Sequence, residues 1–214
     1  MPPAADNPLL PEHFARVDES PDTGFYTEAR LVTHIDDAAI EAARSFYTAI
    51  LPPGGHVLDL MSSWVSHLPE GLYAGVTGLG MNMAELEENP LLTARVVQDL
   101  NANPTLPFEK GTFDGAVVTV SVQYLTSPVD VFREVGRVLK PGAPFALTYS
   151  NRMFPTKAVA IWRGLGDREH ADLIGLYFRL SGAFGPSRAY DLSPNPGASD
   201  PLYAVVAEAL TPPA

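Results

Sequence analysis

Cysteine is absent from this chain of 214 residues. Disulfides, thiolate metal sites and cysteine nucleophiles are therefore excluded. Basic residues are scarce: 14 Lys and Arg stand against 25 Asp and Glu, a net charge of -11. A general binder of nucleic acid or anionic membrane needs a basic face, and no run in the sequence supplies one. Long apolar stretches are missing too; none approaches the roughly 18 residues of a membrane-spanning helix. The opening Met1-Pro2-Pro3-Ala4-Ala5-Asp6 lacks the basic start and apolar stretch of a secretory signal. No His/Asp/Glu group has metal-ligand spacing, and Gly-x-Ser-x-Gly and phosphate-loop patterns do not occur. A soluble cytoplasmic protein without a metal, a nucleic-acid partner or a membrane partner is expected. The oligomeric state is not legible.

What is present is an alternation of strand and helix signals, in a chain long enough to bury a substantial core. Residues 1–22 hold Pro2, Pro3, Pro8, Pro11 and Pro21 and read as irregular. We take residues 1–34 as an N-terminal arm and 35–210 as one domain. From Ile35 to Leu51 apolar residues recur at helical spacing, with Asp36 or Asp37 as cap and Pro52-Pro53-Gly54-Gly55 as stop. Strand-like segments follow at 56–61, 73–79, 94–99, 113–121 and 144–150. Helix-like segments lie near 63–68, 82–89, 128–139 and 156–164. This order predicts βαβ units, a mostly parallel sheet and helices on both faces. Farther on, residues 167–180 read as a helix. The segments 187–192 and 202–207 read as two late strands, an antiparallel pair at a sheet edge.

Residues 57–69, Val-Leu-Asp-Leu-Met-Ser-Ser-Trp-Val-Ser-His-Leu-Pro, are the most informative stretch. A buried-strand pattern runs into a polar turn, as at many nucleotide-type sites. Yet the turn Met61-Ser62-Ser63-Trp64 contains no glycine.

The order of parts resembles the class I S-adenosylmethionine-dependent methyltransferases. Val57-Leu58-Asp59-Leu60, Gly75-Val76-Thr77-Gly78-Leu79 and Gln98-Asp99-Leu100 are similar to their first three cofactor motifs. Leu106-Pro107-Phe108 through Phe113-Asp114, and Arg133-Glu134-Val135 through Lys140-Pro141-Gly142, look like stretches of the small-molecule, type 11 branch. The resemblance covers roughly residues 40–207. It implies a Rossmann-like sheet of seven strands in the order 3-2-1-4-5-7-6, strand 7 antiparallel, with the cofactor across the carboxyl ends of the first strands.

The resemblance also implies where to look for a site. The first loop usually carries glycines, which permit φ > 0 and close backbone approach; here those positions are Met61, Ser63 and Val65. Asp59 is kept and can face the cofactor's ammonium. Ser62 and Ser63 can meet its carboxylate or cap a following helix. The family's ribose-gripping acid is replaced by Gly80, followed by Met81 and by Asn82, which can substitute or act as a helix N-cap. Glu85 is also near. Asp99 and Leu100 would meet adenine, or Asp99 is a turn residue. Ser121 and Tyr124 lie where the transferable methyl would pass, and an aromatic face attracts a sulfonium. Asn151 and Arg152 follow the fifth strand on the ligand side; Arg152 can bind an acidic substrate or pair with a surface carboxylate. Tyr26, Arg30 and Trp64 complete the substrate candidates. His34 and His67 are the candidate general bases, since imidazole titrates near neutral pH. The expected activity is S-adenosylmethionine-dependent methyl transfer to an O- or N-nucleophile on a small molecule. Other chemistry on this fold, a lyase or cyclase, and a non-catalytic binding or scaffold protein are the alternatives.

Overall fold

The computed structural model describes residues 8–211. Seven strands form one sheet in the order β3-β2-β1-β4-β5-β7-β6. They are β1 (His56–Leu60), β2 (Gly75–Gly80), β3 (Ala94–Val97), β4 (Gly115–Thr119), β5 (Pro144–Tyr149), β6 (Arg188–Asp191) and β7 (Tyr203–Glu208). The first five are parallel, and β7 runs antiparallel to both β5 and β6. This is the expected architecture, including the late edge pair.

Alternation along the strands splits the core into two layers. Leu58, Leu60, Ala116, Val118, Phe145 and Leu147 face one side. That side is covered by α4 (Pro128–Val138) and α6 (Asp167–Ser181). Phe132 of α4 meets Phe178 of α6 at 4.9 Å and Phe145 at 5.1 Å, both edge to face. Val57, Val117 and Ala146 face the other side, against Ala39, Ala43, Phe46 and Tyr47 of α2 (Asp37–Ile50). Asp36 caps α2 by accepting from the Ala39 amide at 2.9 Å. Tyr47 is fully buried, and its hydroxyl reaches Thr119 and Thr148 at the carboxyl ends of β4 and β5.

Two expectations fail. No helix forms at 63–68; residues 61–69 run irregularly after β1. The hydroxyls there are drawn to side-chain partners instead: Ser62 donates to Asp59 and Ser63 to Glu85, each at 2.6 Å. Such side-chain bonds compete with helix formation, and His67 takes a left-handed φ of 53°. Ser62 and Ser63 therefore cap no helix here.

The arm is also more regular than its prolines suggest. It contains a 3₁₀ turn at Pro11–Phe14 and a short helix, α1 (Asp22–Phe25). Pro11 sits at the helix start, where a missing N–H costs nothing. Pro2 and Pro3 lie outside the described residues. Two further short helices, α3 (Met83–Glu88) and α5 (Ala160–Arg163), and a 3₁₀ turn at Val122–Tyr124 complete the described elements. Among the described residues, no helix is long and apolar enough to cross a membrane.

Candidate active site

The carboxyl ends of β1, β2 and β4 open into a cavity of about 600 Å³. Strand-end loops of an open α/β sheet converge at this place. Every candidate residue but one lines it: Tyr26, Arg30, His34, Asp59, Met61, Ser62, Ser63, Trp64, His67, Gly80, Met81, Asn82, Asp99, Leu100, Ser121, Tyr124 and Arg152. Asn151 is the exception. It is exposed and borders a neighbouring surface cleft, which Arg152 and Asp200 share with the cavity.

The floor over β1 and β2 is acidic. Asp59 is 2% exposed, and burial pushes its carboxyl up to about 6 against the hydroxyls of Ser62 and Ser66, which oppose the shift. Glu85, also buried, accepts from Ser63 and from the Arg30 amide at 2.8 Å. Asn89, with no exposed surface, donates to the Ser63 carbonyl and the Ser66 hydroxyl, both at 2.8 Å. The irregular loop is thus fastened by side chains from β1 and from α3 and its C-terminal flank.

At the first of the three glycine positions another residue takes the backbone conformation of glycine. Met61, at the first glycine position, has φ 57°, and Val120 has φ 43°. With His67, these are three left-handed non-glycine residues, and all three line the cavity. Each carries strain of order 1–3 kcal/mol that the surroundings must hold. Gly80 has a different explanation. A Cβ there would stand 2.2 Å from the Ser62 carbonyl oxygen. The path of the first loop leaves no room for an acid at that position.

Asn82 caps α3: its Oδ1 accepts from the Glu85 amide at 3.2 Å. Its Nδ2 donates to the carbonyls of Tyr26 and Thr27 in the arm. Both polar atoms of its side chain are engaged, and the acid beside it in the cavity wall is Glu85. Asn82→Ala removes the cap and both ties. We expect a loss of about 1–2 kcal/mol, read from urea denaturation midpoints; an unchanged midpoint would show that the cap is not stabilising.

Asp99 serves a turn and the cavity at once. Its Oδ1 accepts from the amides of Asn101 and Ala102, while the half-buried carboxylate lines the cavity wall. Ser121 Oγ is buried without a hydrogen-bond partner among the described residues. Tyr124 accepts from the Phe154 amide at 2.8 Å, and burial raises its phenol. His67 is 5% exposed; burial, then the charges of Arg44 and His34, lower it to about 4, and its Nδ1 has no partner among the described residues. Burial also lowers His34, whose ring stands 5.2 Å from Phe154. Arg152 is largely exposed and donates to Asp200 at 2.8 Å. Trp64 donates to the Val32 carbonyl at 3.0 Å.

The arm forms part of the cavity wall, through Asp22, Tyr26, Arg30 and residues 32–34, and is tied down at several points. Asn101 donates to Asp22 at 2.9 Å, Asn82 to Tyr26 and Thr27, and the Arg30 amide to Glu85. Asp36 and Asp200 exchange backbone-to-carboxylate bonds. Sequence reasoning missed Asn101, Asp22, Ser66, Asn89 and Lys157. The Asx turn at Asp99-Asn101 was the only local signal among them.

Residues 65–147 match the methyltransferase domain family model, Methyltransf_11. Over that stretch the chain is similar to a methyltransferase domain, and its sheet order is that of the Rossmann-like methyltransferase fold. The match to this domain begins at Val65, just past the glycine-free turn. A curated relative, methyltransferase phqN of Penicillium fellutanum, is 35% identical over 80 residues, covering 35% of this chain and 24% of that protein. The chain thus spans only about a quarter of that relative's length. Among solved structures, a SAM-dependent methyltransferase of Leishmania major aligns over 80% of this chain and 72% of its own. Its TM-score is 0.60 at 18% identity. The [4+2]-cyclase SpnF aligns over 86% of this chain and 89% of its own, with a TM-score of 0.56 at 13% identity. At these identities the solved structures establish the methyltransferase fold alone.

Proposed function

We propose that this chain transfers the methyl group of S-adenosylmethionine to an oxygen or nitrogen of a small-molecule acceptor. The observation that carries this reading is Asp59, a buried carboxylate that lines the cavity beside hydroxyls and, among the described residues, forms no ion pair. A cofactor with an ammonium group and a sulfonium supplies the missing positive charge. The cavity volume suits a ligand of that size with room for an acceptor. Asp59 would hold the ammonium, Glu85 the ribose and Asp99 with Leu100 the adenine. When bound, the cofactor supplies the electrophilic methyl and the sulfide leaving group.

The protein aligns the acceptor and excludes water. Tyr124 and the unpartnered Ser121 hydroxyl border the reacting region. His34 and His67 are the groups available to take the acceptor's proton; both are driven towards the neutral form, in which a ring nitrogen can accept.

Asp59 gives the test. Burial raises its carboxyl in the folded protein to about 6, above its unfolded value. A bound ammonium favours the ionised form and lowers that pKa, so binding releases a proton between about pH 4 and 6. Affinity for S-adenosylhomocysteine should therefore rise with pH up to about 6 and then level off. Asp59→Asn should flatten the profile and weaken binding about tenfold at pH 7, which is about 1.4 kcal/mol. Calorimetry in buffers of different ionisation enthalpy reads both. No binding at millimolar cofactor would sink the proposal.

One observation favours a second reading, non-methyl chemistry on the same fold: position 80 has no room for the ribose acid. Cofactor binding without methyl turnover over a broad acceptor panel would support it.

A further inference from the structure

Arg30 stands apart from the other cations of the cavity. Its guanidinium lies 4.1 Å over the Phe25 ring and 5.5 Å from the Phe154 ring centre. Nη2 donates to the Phe25 carbonyl at 2.8 Å. Nη1 is buried, and neither an acceptor for it nor an ion pair of the guanidinium occurs among the described residues. Arg152, by contrast, is neutralised by Asp200. His34 and His67 are both held towards neutrality by burial.

A planar guanidinium with a buried, unused N–H is a preformed receptor for a carboxylate. The anion belongs to the acceptor rather than to the cofactor, on grounds of place. The cofactor's amino-acid end is assigned over β1, at Asp59. The Arg30 amide is tied to Glu85 on the cofactor side, but its guanidinium reaches away to Phe154, in the segment that follows β5. In the sheet, β4 lies between β1 and β5. Phe154 also lies 6.0 Å from Tyr124 and 5.2 Å from His34, so the receptor opens onto an aromatic corner. A doubly charged phosphate would need more than one unpaired cation, and this corner offers one.

We propose that the methyl acceptor is an aromatic carboxylate, with Arg30 as the residue that selects its charge. This rests on the methyltransferase reading above for the position of the cofactor.

The test is a binding comparison. Protein saturated with S-adenosylhomocysteine is titrated with benzoate, 4-hydroxybenzoate, cinnamate and indole-3-acetate, and with the matching primary amides. At least one carboxylate should bind tenfold or more tighter than its amide. Arg30→Met should abolish that preference while changing the S-adenosylhomocysteine Kd by less than twofold. Arg30→Lys keeps the charge but loses the planar fork, and should cut the preference by at least threefold. That variant decides the matter if the Met variant does not fold. The proposal is overturned if no carboxylate is preferred, or if the preference survives in both variants. It is also overturned if Arg30→Met weakens S-adenosylhomocysteine tenfold and spares the preference, which would give Arg30 to the cofactor. Failure of the wild type to bind S-adenosylhomocysteine would overturn the cofactor reading. The carboxylate–amide comparison on the protein alone then judges Arg30 separately.

Discussion

Asp22→Ala is expected to release the N-terminal arm from the cavity wall and to cost about 3 kcal/mol. Asp22 is 5% exposed and sits between two cations. Arg16 grips both of its oxygens at 2.7 Å, and Lys157 lies 3.2 Å away. Asn101 adds a third bond at 2.9 Å. Lys157 is itself 1% exposed, in the segment after β5, so removing Asp22 leaves a buried ammonium short of a partner. Breaking such a pair from one side typically costs about 3–5 kcal/mol, because the other charge stays desolvated. The lower end applies here, since Lys157 keeps Asp18 at 3.1 Å and Arg16 keeps Glu19 at 3.6 Å. The loss should appear as local opening before global unfolding. Limited proteolysis within residues 16–36 should accelerate at least tenfold, and cofactor affinity should fall with it. An arm as protected in the variant as in the wild type would show that the network does not hold it.

Acid should reproduce the effect. Burial pushes the Asp22 carboxyl up, but hydrogen bonds from Asn101, Arg16 and Lys157, with the charge of Arg16, outweigh that and hold it below the usual range. The folded pKa lies below the unfolded one, so the unfolded chain binds more protons between the two. The stabilisation is fully present above the unfolded value, near 4, and is lost as pH falls through the folded one. Arm protection in the wild type should therefore decline below about pH 4, with no matching decline in Asp22→Ala.

This network also marks where sequence reading stops. Val57-Leu58-Asp59-Leu60 reads as a strand because a strand buried on both faces is apolar almost throughout. The helix at 128–138 reads from its apolar stripe, its Pro128 start and its Lys140-Pro141-Gly142 stop. Those are local signals, and the sheet order followed from their succession and the resemblance. The contact between Asp22 and Lys157 has no local signal; it exists only once the arm folds back over β5. Residues 63–68 misled for a related reason. Their spacing permits a helix, but the carboxylates that capture Ser62 and Ser63 include Glu85, which folding alone brings near. Asp59 and Asp99 were legible as strand-end acids. That a methionine could hold the backbone angle of the missing glycine at position 61 was not, because φ is imposed by packing around the loop.

Gly80→Asp is the sharpest test of how this loop and the cofactor site fit together. By resemblance alone, restoring an acid at the end of β2 should improve ribose binding. The structure predicts the reverse. Any Cβ at position 80 would sit 2.2 Å from the Ser62 carbonyl oxygen and 3.2 Å from Leu86 Cδ2. The first contact is with backbone, so no side-chain rotation relieves it. Residues 61–63 would have to move, which breaks the Ser62 amide bond to the Leu79 carbonyl at 2.8 Å. It would also pull Ser62 from Asp59 and Ser63 from Glu85. Overpacking a filled site costs about 1–3 kcal/mol, and the lost backbone bond adds about 1 kcal/mol. We expect Gly80→Asp and Gly80→Ala each to lower stability by about 3 kcal/mol in urea denaturation. Both should weaken S-adenosylhomocysteine at least tenfold, the alanine variant showing that bulk rather than charge is responsible. A Gly80→Asp protein of wild-type stability that bound S-adenosylhomocysteine more tightly would overturn this account. The loop would then yield to the acid, and Glu85 would lose its claim to the ribose.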